Sequence, residues 1–126
     1  MGGNQSMRKS RQDLIVNPQA AQFVQDKVKD NCVTVFSKSS CPYCKIAQRC
    51  LDDIGAKYEV VELSSREDMS DIQDVLMAMT GERTVPQVFI NGSCIGGGAT
   101  TKMLHQEGRL RNLVQECGGL RQDGEN

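Results

Sequence analysis

The chain of 126 residues has no tryptophan, one histidine (His105), three prolines and no long apolar run. Without a stretch of about 18 consecutive apolar residues there is no membrane-spanning helix to place. A lone histidine and no second Cys-x-x-Cys pair leave no ligand set with zinc spacing. Charge is nearly balanced, 15 Lys and Arg against 16 Asp and Glu for a net −1, and is spread along the chain. No basic face for general nucleic-acid binding is implied, so nucleic acid is not an expected partner. Met1-Gly2-Gly3-Asn4-Gln5-Ser6 lacks the apolar segment of a secretory signal. The expectation is a soluble, cytoplasmic protein, with mitochondrial and nuclear forms left open. Cysteine is not scarce, at six. A secreted disulfide scaffold is nevertheless a poor reading, because ordinary core-forming segments are present and the signal is not.

The length suits one domain. Residues 1–16 are polar and Gly/Ser/Gln-rich without useful periodicity and are expected to form a flexible tail, followed by a domain over 17–118 and a second flexible tail over 119–126. Asn17 and Pro18 supply a cap and a first-turn residue for a helix to Asp30, with Ala21, Val24 and Val28 at helical spacing. Cys32 to Phe36 reads as a strand. The helix after Cys41 is stopped near Ile54 by Gly55, and a second strand follows from Lys57 to Leu63. Met69, Ile72, Val75, Leu76 and Met79 share one face of a helix expected over 67–79, with Gly81 beyond its end. Val85 to Ile90 is a third strand begun by a proline. Asn91-Gly92 is a hairpin turn, and Cys94-Ile95 starts a fourth strand. Gly96-Gly97-Gly98 precedes helices over 100–107 and 110–117. The fold class is α/β, a small four-stranded mixed sheet flanked by helices on both faces.

Cys41-Pro42-Tyr43-Cys44 carries the chemistry. The run Val33-Thr34-Val35-Phe36 passes through a polar loop into a helix, which puts Cys41 at the helix N-terminus, where unpaired N–H groups and the dipole favour a thiolate. Two intervening residues bring Cys44 within a helical turn, close enough to attack a mixed disulfide on its neighbour. Two buried structural thiols or a zinc site are the bland alternatives. The polar bracket argues against the first, and the missing second ligand pair against the other.

Taken together, Cys41-Pro42-Tyr43-Cys44, Thr84-Val85-Pro86, Asn91-Gly92 and the Gly96-Gly97-Gly98 run resemble a glutaredoxin of thioredoxin-like fold, a resemblance that covers residues 17–117. Asp30-Asn31-Cys32, Thr80 to Pro86 and His105 to Gly108 are most similar to the vertebrate glutaredoxin 2 branch of that family. Ordinary thioredoxins carry a tryptophan beside a Gly-Pro centre, and this chain has no tryptophan. Glutathione chemistry is therefore favoured over protein-to-protein thioredoxin chemistry.

The resemblance implies a glutathione-dependent thiol-disulfide oxidoreductase, with Cys41 as nucleophile and Cys44 as resolving thiol. Lys38 is expected near Cys41. The implied glutathione-binding set is Lys38, Cys41, Tyr43, Gln73, Thr84, Val85, Pro86, Gly97, Gly98, Ala99 and Thr100. Pro86 corresponds to a cis-proline that leaves Val85 free to pair with a peptide-like substrate, in a strand-like addition. Lys38 and Gln73 correspond to positions that hold the glycine carboxylate; from sequence alone each is as well read as a solvated polar side chain. Thr100 stands where relatives usually have an aspartate that accepts from the glutathione amino group, so one charge-assisted contact is lost.

Cys32 and Cys117 match an additional disulfide of that branch, or are two small buried hydrophobes. Cys50, Cys94, His105 and the methionines of the third helix are read as structure. The expected partners are glutathione and glutathionylated or disulfide-containing proteins, met by a monomer. The alternative is a dimer around a [2Fe-2S] cluster ligated by Cys41 of each copy with bound glutathione. Pro42 argues against it, because it stiffens the loop and removes an N–H donor. Gly2 also fits a myristoylation pattern, with Arg8, Lys9 and Arg11 as an electrostatic second anchor.

Overall fold

A computed structural model of the chain describes residues 15–122. The Gly2 lipidation pattern, its basic partners and nearly all of the expected N-terminal tail lie outside that range. The first helix, α1 (Pro18–Asp30), starts as its sequence dictates. Asn17 Oδ1 accepts from the backbone N–H groups of Gln19 and Ala20 at 2.9 and 3.0 Å, and Pro18 occupies the first turn. The chain continues as β1 (Val33–Ser37), α2 (Pro42–Asp53), β2 (Glu59–Glu62), α3 (Met69–Thr80), β3 (Gln87–Ile90), β4 (Ser93–Gly96), α4 (Gly98–Gln106) and α5 (Arg109–Glu116). Among the described residues no helix is long and apolar enough to cross a membrane.

The four strands lie in the order β2-β1-β3-β4, with β1 parallel to β2 and antiparallel to β3, and β3 antiparallel to β4. In the register Val35 stands between Val60 and Val88. All five residues of β1 are buried, which is why this strand is a continuous rather than an alternating apolar run. Val33 and Val35 face a core shared with Ala47 and Leu51 of α2, Leu104 of α4, and Leu110 and Val114 of α5. Phe36 points the other way, into a core with Val24 of α1 and with Ile72 and Leu76 of α3. There it meets Phe89 edge to face, ring centroids 5.6 Å apart. The sheet is thus covered on both faces, and each fully buried Val, Leu or Phe contributes about 1.5–3 kcal/mol. Thr34, the polar residue of β1, satisfies its hydroxyl on Lys27 C=O at 2.9 Å.

Several expectations are corrected. α4 begins at Gly98, two residues before Thr100, so the end of the glycine run is helix rather than turn. β3 begins at Gln87, because Val85 and Pro86 belong to the preceding loop. Met79 is not on the buried face of α3; it lies 39% exposed near the helix end. The folded unit also runs past the expected boundary at Gly118. Gly119 C=O accepts from Lys57 N–H at 2.7 Å, Leu120 bridges Ala56, and Arg121 N–H donates to Gly55 C=O at 2.8 Å. Backbone pairing, to which a Gly-Gly sequence gives no clue, holds this stretch down.

Cys32, just before β1, and Cys117, just after α5, are joined as a disulfide with their Cα atoms 5.5 Å apart. A bridge spanning 85 residues restricts the unfolded chain strongly. Its removal is expected to cost about 2–5 kcal/mol. Guanidinium unfolding of oxidised wild type and of the Cys32→Ser/Cys117→Ser double variant checks this; coincident midpoints would show that the bridge contributes nothing.

Candidate active site

β1 delivers the chain to the turn at Ser39-Ser40, closed by Cys41 N–H donating to Lys38 C=O at 3.2 Å. Cys41 then takes an extended backbone, φ −101° and ψ 110°, and serves as the N-cap of α2. Its Sγ accepts from Cys44 N–H at 3.1 Å, so one of the helix's unpaired donors points directly at the sulfur. Pro42 fits the first helical position because the N–H it lacks would have no partner there. The same Sγ lies 3.8 Å from Val85 C=O, to which the thiol donates a weak hydrogen bond.

Cys44 lies one helical turn beneath, 1% exposed, while Cys41 is partly open. Burial pushes the Cys44 thiol upward, reinforced by its hydrogen bond to Cys41; Ser37 and the Lys38 backbone pull weakly the other way. The two sulfurs therefore divide as an accessible one and a buried one held behind it.

Across from Cys41 runs the loop between α3 and β3. Its Val85-Pro86 peptide is cis. Gln87, 3% exposed, anchors the loop: Nε2 donates to Glu82 C=O at 2.7 Å and to Thr84 C=O at 3.0 Å, and Oε1 accepts from the Thr80 hydroxyl at 3.0 Å. Gln73 Nε2 donates to Arg83 C=O at 2.9 Å, and Arg83 pairs with Asp74 of α3. Sequence reasoning passed over Gln87 and Thr80. The only signal was a glutamine inside the apolar run Val85 to Ile90, which reads as an ordinary polar strand position until the loop folds back on it.

Tyr43, Thr84, Val85, Pro86, Gly97, Gly98, Ala99 and Thr100 line a single cleft of about 290 Å³. All eight were expected to bind glutathione. Lys38, Cys41 and Gln73 were too, but none of the three is on the cleft wall: Gln73 Nε2 is bonded to the loop, Lys38 contributes its carbonyl to the turn, and Cys41 meets the cleft only through Val85, its Sγ 3.8 Å from Val85 C=O. Gly98 brings α4 close to the motif, since a Cβ there would fall 2.7 Å from Tyr43 O and 3.0 Å from Tyr43 Cβ. Of the two threonines that follow, Thr101 is fully buried and its hydroxyl donates to Gly97 C=O at 2.8 Å. Thr100 is the one on the cleft.

A larger cavity of about 720 Å³ shares Thr84, Pro86 and Gly97 and reaches Cys94, but Val85, whose carbonyl faces Cys41 Sγ, lines only the smaller one. Cys94 is partly buried and Cys50 buried, both thiols pushed up by desolvation, and His105 lies 3.4 Å from Asp53. None of these reaches the cleft.

A Cys-x-x-Cys at a helix start, facing the residue before a cis-proline on a four-stranded mixed sheet, defines a dithiol protein of thioredoxin-like fold. The comparisons narrow the class further. A glutaredoxin family model matches residues 33–95. Human "Glutaredoxin-2, mitochondrial" is 49% identical over 94 residues, 75% of this chain and 57% of that protein. A glutaredoxin of Vernicia fordii is 47% identical over 97 residues, 77% of this chain and 93% of that one. Among solved structures, the buckwheat glutaredoxin-glutathione complex superposes with a TM-score of 0.78 at 40% identity, covering 82% of this chain and 94% of its own. Oxidised glutaredoxin 2 from Chlamydomonas reinhardtii gives 0.79 at 44%, covering 84% and 100%. The chain belongs to the glutaredoxin family. It spans 57% of the length of the human relative and 60% of the rat one.

Replacing Gln87 by Leu leaves Glu82 and Thr84 carbonyls without their donor and the Thr80 hydroxyl without one acceptor. The expected loss is about 1–3 kcal/mol in guanidinium unfolding. An unchanged midpoint would mean that the loop is held by other contacts.

Proposed function

We infer that the protein is a glutathione-dependent thiol-disulfide oxidoreductase that acts on glutathionylated proteins and on protein disulfides. The observation that carries this reading is the position of Cys41 Sγ, which accepts from Cys44 N–H at a helix start while facing the C=O of Val85, a residue that lines the cleft of about 290 Å³. Likeness to a glutaredoxin solved as a glutathione complex supports the choice of thiol. The setting is a reducing, glutathione-supplied compartment. Cytoplasm is our first choice, and mitochondria are the one that the vertebrate relatives' names suggest.

Deglutathionylation needs one cysteine. Cys41 thiolate attacks the glutathionyl sulfur of a protein mixed disulfide along the S–S axis, a Cys41–glutathione bond forms, and the protein leaves as a thiolate that takes up a proton. A glutathione thiolate then attacks that glutathionyl sulfur, forming glutathione disulfide and restoring Cys41 thiolate. Val85 offers its backbone N–H and C=O to the cysteinyl part of the bound glutathione, as an added strand would. Reduction of a protein disulfide needs both cysteines. Cys41 takes one protein sulfur and releases the other as a thiolate. Cys44 loses its proton, attacks Cys41 and frees the second protein thiolate, and two glutathione molecules reduce the resulting Cys41–Cys44 disulfide.

The working unit is a monomer. No observation among the described residues favours the cluster-bridged dimer.

Cys41→Ser is expected to abolish turnover of both substrate types, whereas Cys44→Ser keeps deglutathionylation and loses most protein-disulfide reduction. Appreciable turnover by Cys41→Ser would overturn the assignment. The direction of the Cys44 shift adds a pH signature. A buried thiol held above its ordinary value stays protonated at neutral pH, so the Cys44-dependent route gains from each rise in pH. In wild type the ratio of protein-disulfide to mixed-disulfide turnover is expected to climb between about pH 7 and 9. A flat ratio would place the Cys44 proton elsewhere.

A further inference from the structure

The cleft beside Cys41 carries no charge on its wall. Its side chains are one phenol, two threonines, a valine, a proline and an alanine, and the rest is glycine backbone. The carboxylate of Glu82 lines the neighbouring cavity, which shares Thr84, Pro86 and Gly97, and not this cleft. Thr100 is held in one place on the cleft wall. It sits in the first turn of α4, and its side chain rests so close to Gly96 that a Cβ on Gly96 would fall 2.9 Å from Thr100 Oγ1. Gly96, at φ 122°, leaves room for it. Thr101 is not available as a substitute, because its hydroxyl is buried on Gly97 C=O.

An α-ammonium group entering this cleft meets hydroxyls and backbone, which can share a hydrogen bond but cannot balance its charge. Desolvating it without an anionic partner offsets what that bond contributes.

We propose that this protein does not select for the free α-amino group of glutathione, and that Thr100 sets this tolerance. On the reading that the cleft binds glutathione, its substrates are acyl-cysteinyl-glycine thiols as a class, with the γ-glutamyl ammonium present, acylated or absent. The chemistry is unchanged across the class: Cys41 thiolate takes the cysteinyl sulfur of the tripeptide, and the peptide thiolate bound to it leaves.

The test uses the full chain and two mixed disulfides of one model peptide. One carries glutathione; the other carries glutaryl-cysteinyl-glycine, which lacks only the α-amino group. Because the two half-reactions occur in sequence, kcat/KM for each disulfide at a fixed glutathione concentration reports the first attack alone. For wild type the two values should agree within about threefold, less than the gain expected of a charge-assisted hydrogen bond. Thr100→Asp should raise the preference for the glutathione disulfide by about tenfold. Thr100→Asn, similar in shape but uncharged, should leave the ratio near that of wild type, which separates charge from any repacking of α4.

A wild-type preference of tenfold or more for the amino-bearing substrate would overturn the proposal and leave the glutathione reading intact, as would a Thr100→Asp ratio equal to that of wild type. Turnover of neither disulfide would instead refute the glutathione reading itself.

Discussion

Everything at this site depends on one sulfur occupying the N-cap position of α2. A cap is ordinarily a short oxygen side chain that accepts from the helix's first free N–H groups. Here Cys41 Sγ takes that role through Cys44 N–H. The Cys41 sulfur is thus held by the helix it starts, with the positive end of the dipole behind it. The covering on both faces of the sheet serves this placement. Buried β1 fixes where the turn begins, and Ala47, Cys50 and Leu51 seat α2 on the core, so the cap has little freedom to drift.

The second half of the site comes from a part of the chain more than 40 residues away and is assembled by polar rather than apolar contacts. Gln87, Thr80, Gln73 and Arg83 tie the loop carrying Thr84, Val85 and Pro86 back onto α3 and β3. Hydrogen bonds suit this task because the loop must stay at the surface, where a substrate can reach it, and yet present Val85 in one orientation. Close packing completes the cleft on the α4 side, where Gly98 lets the helix lie against Tyr43. Three separate segments thus meet at a cleft whose wall carries no charged side chain.

How much of this was legible in the sequence follows the range of the interactions concerned. The strand, polar loop and Cys-x-x-Cys helix are local, and their periodicities and cap residues lie within about 25 residues; they were read correctly to within a residue or two. The cleft residues were reached through resemblance, and eight of them do share one wall. What could not be read was the choice a side chain makes between two available partners. Gln73 could have faced a ligand but bonds Arg83 instead, and Gln87 looked like a strand position but knits a loop. The ordered segment after Gly118 was missed for a related reason: backbone pairing with residues 55–57 leaves no signature in side-chain pattern.

On the proposed function, Cys41 and the Val85 cleft together receive glutathione. The most direct measurement is a crystal structure of Cys44→Ser protein oxidised with glutathione and trapped as the mixed disulfide. A single bound glutathione is expected, its sulfur on Cys41, its cysteinyl N–H and C=O paired with Val85, and its γ-glutamyl end between Tyr43 and Thr100. Glutathione on Cys41 with its backbone lying outside that cleft, or attached to Cys94 instead, would contradict it.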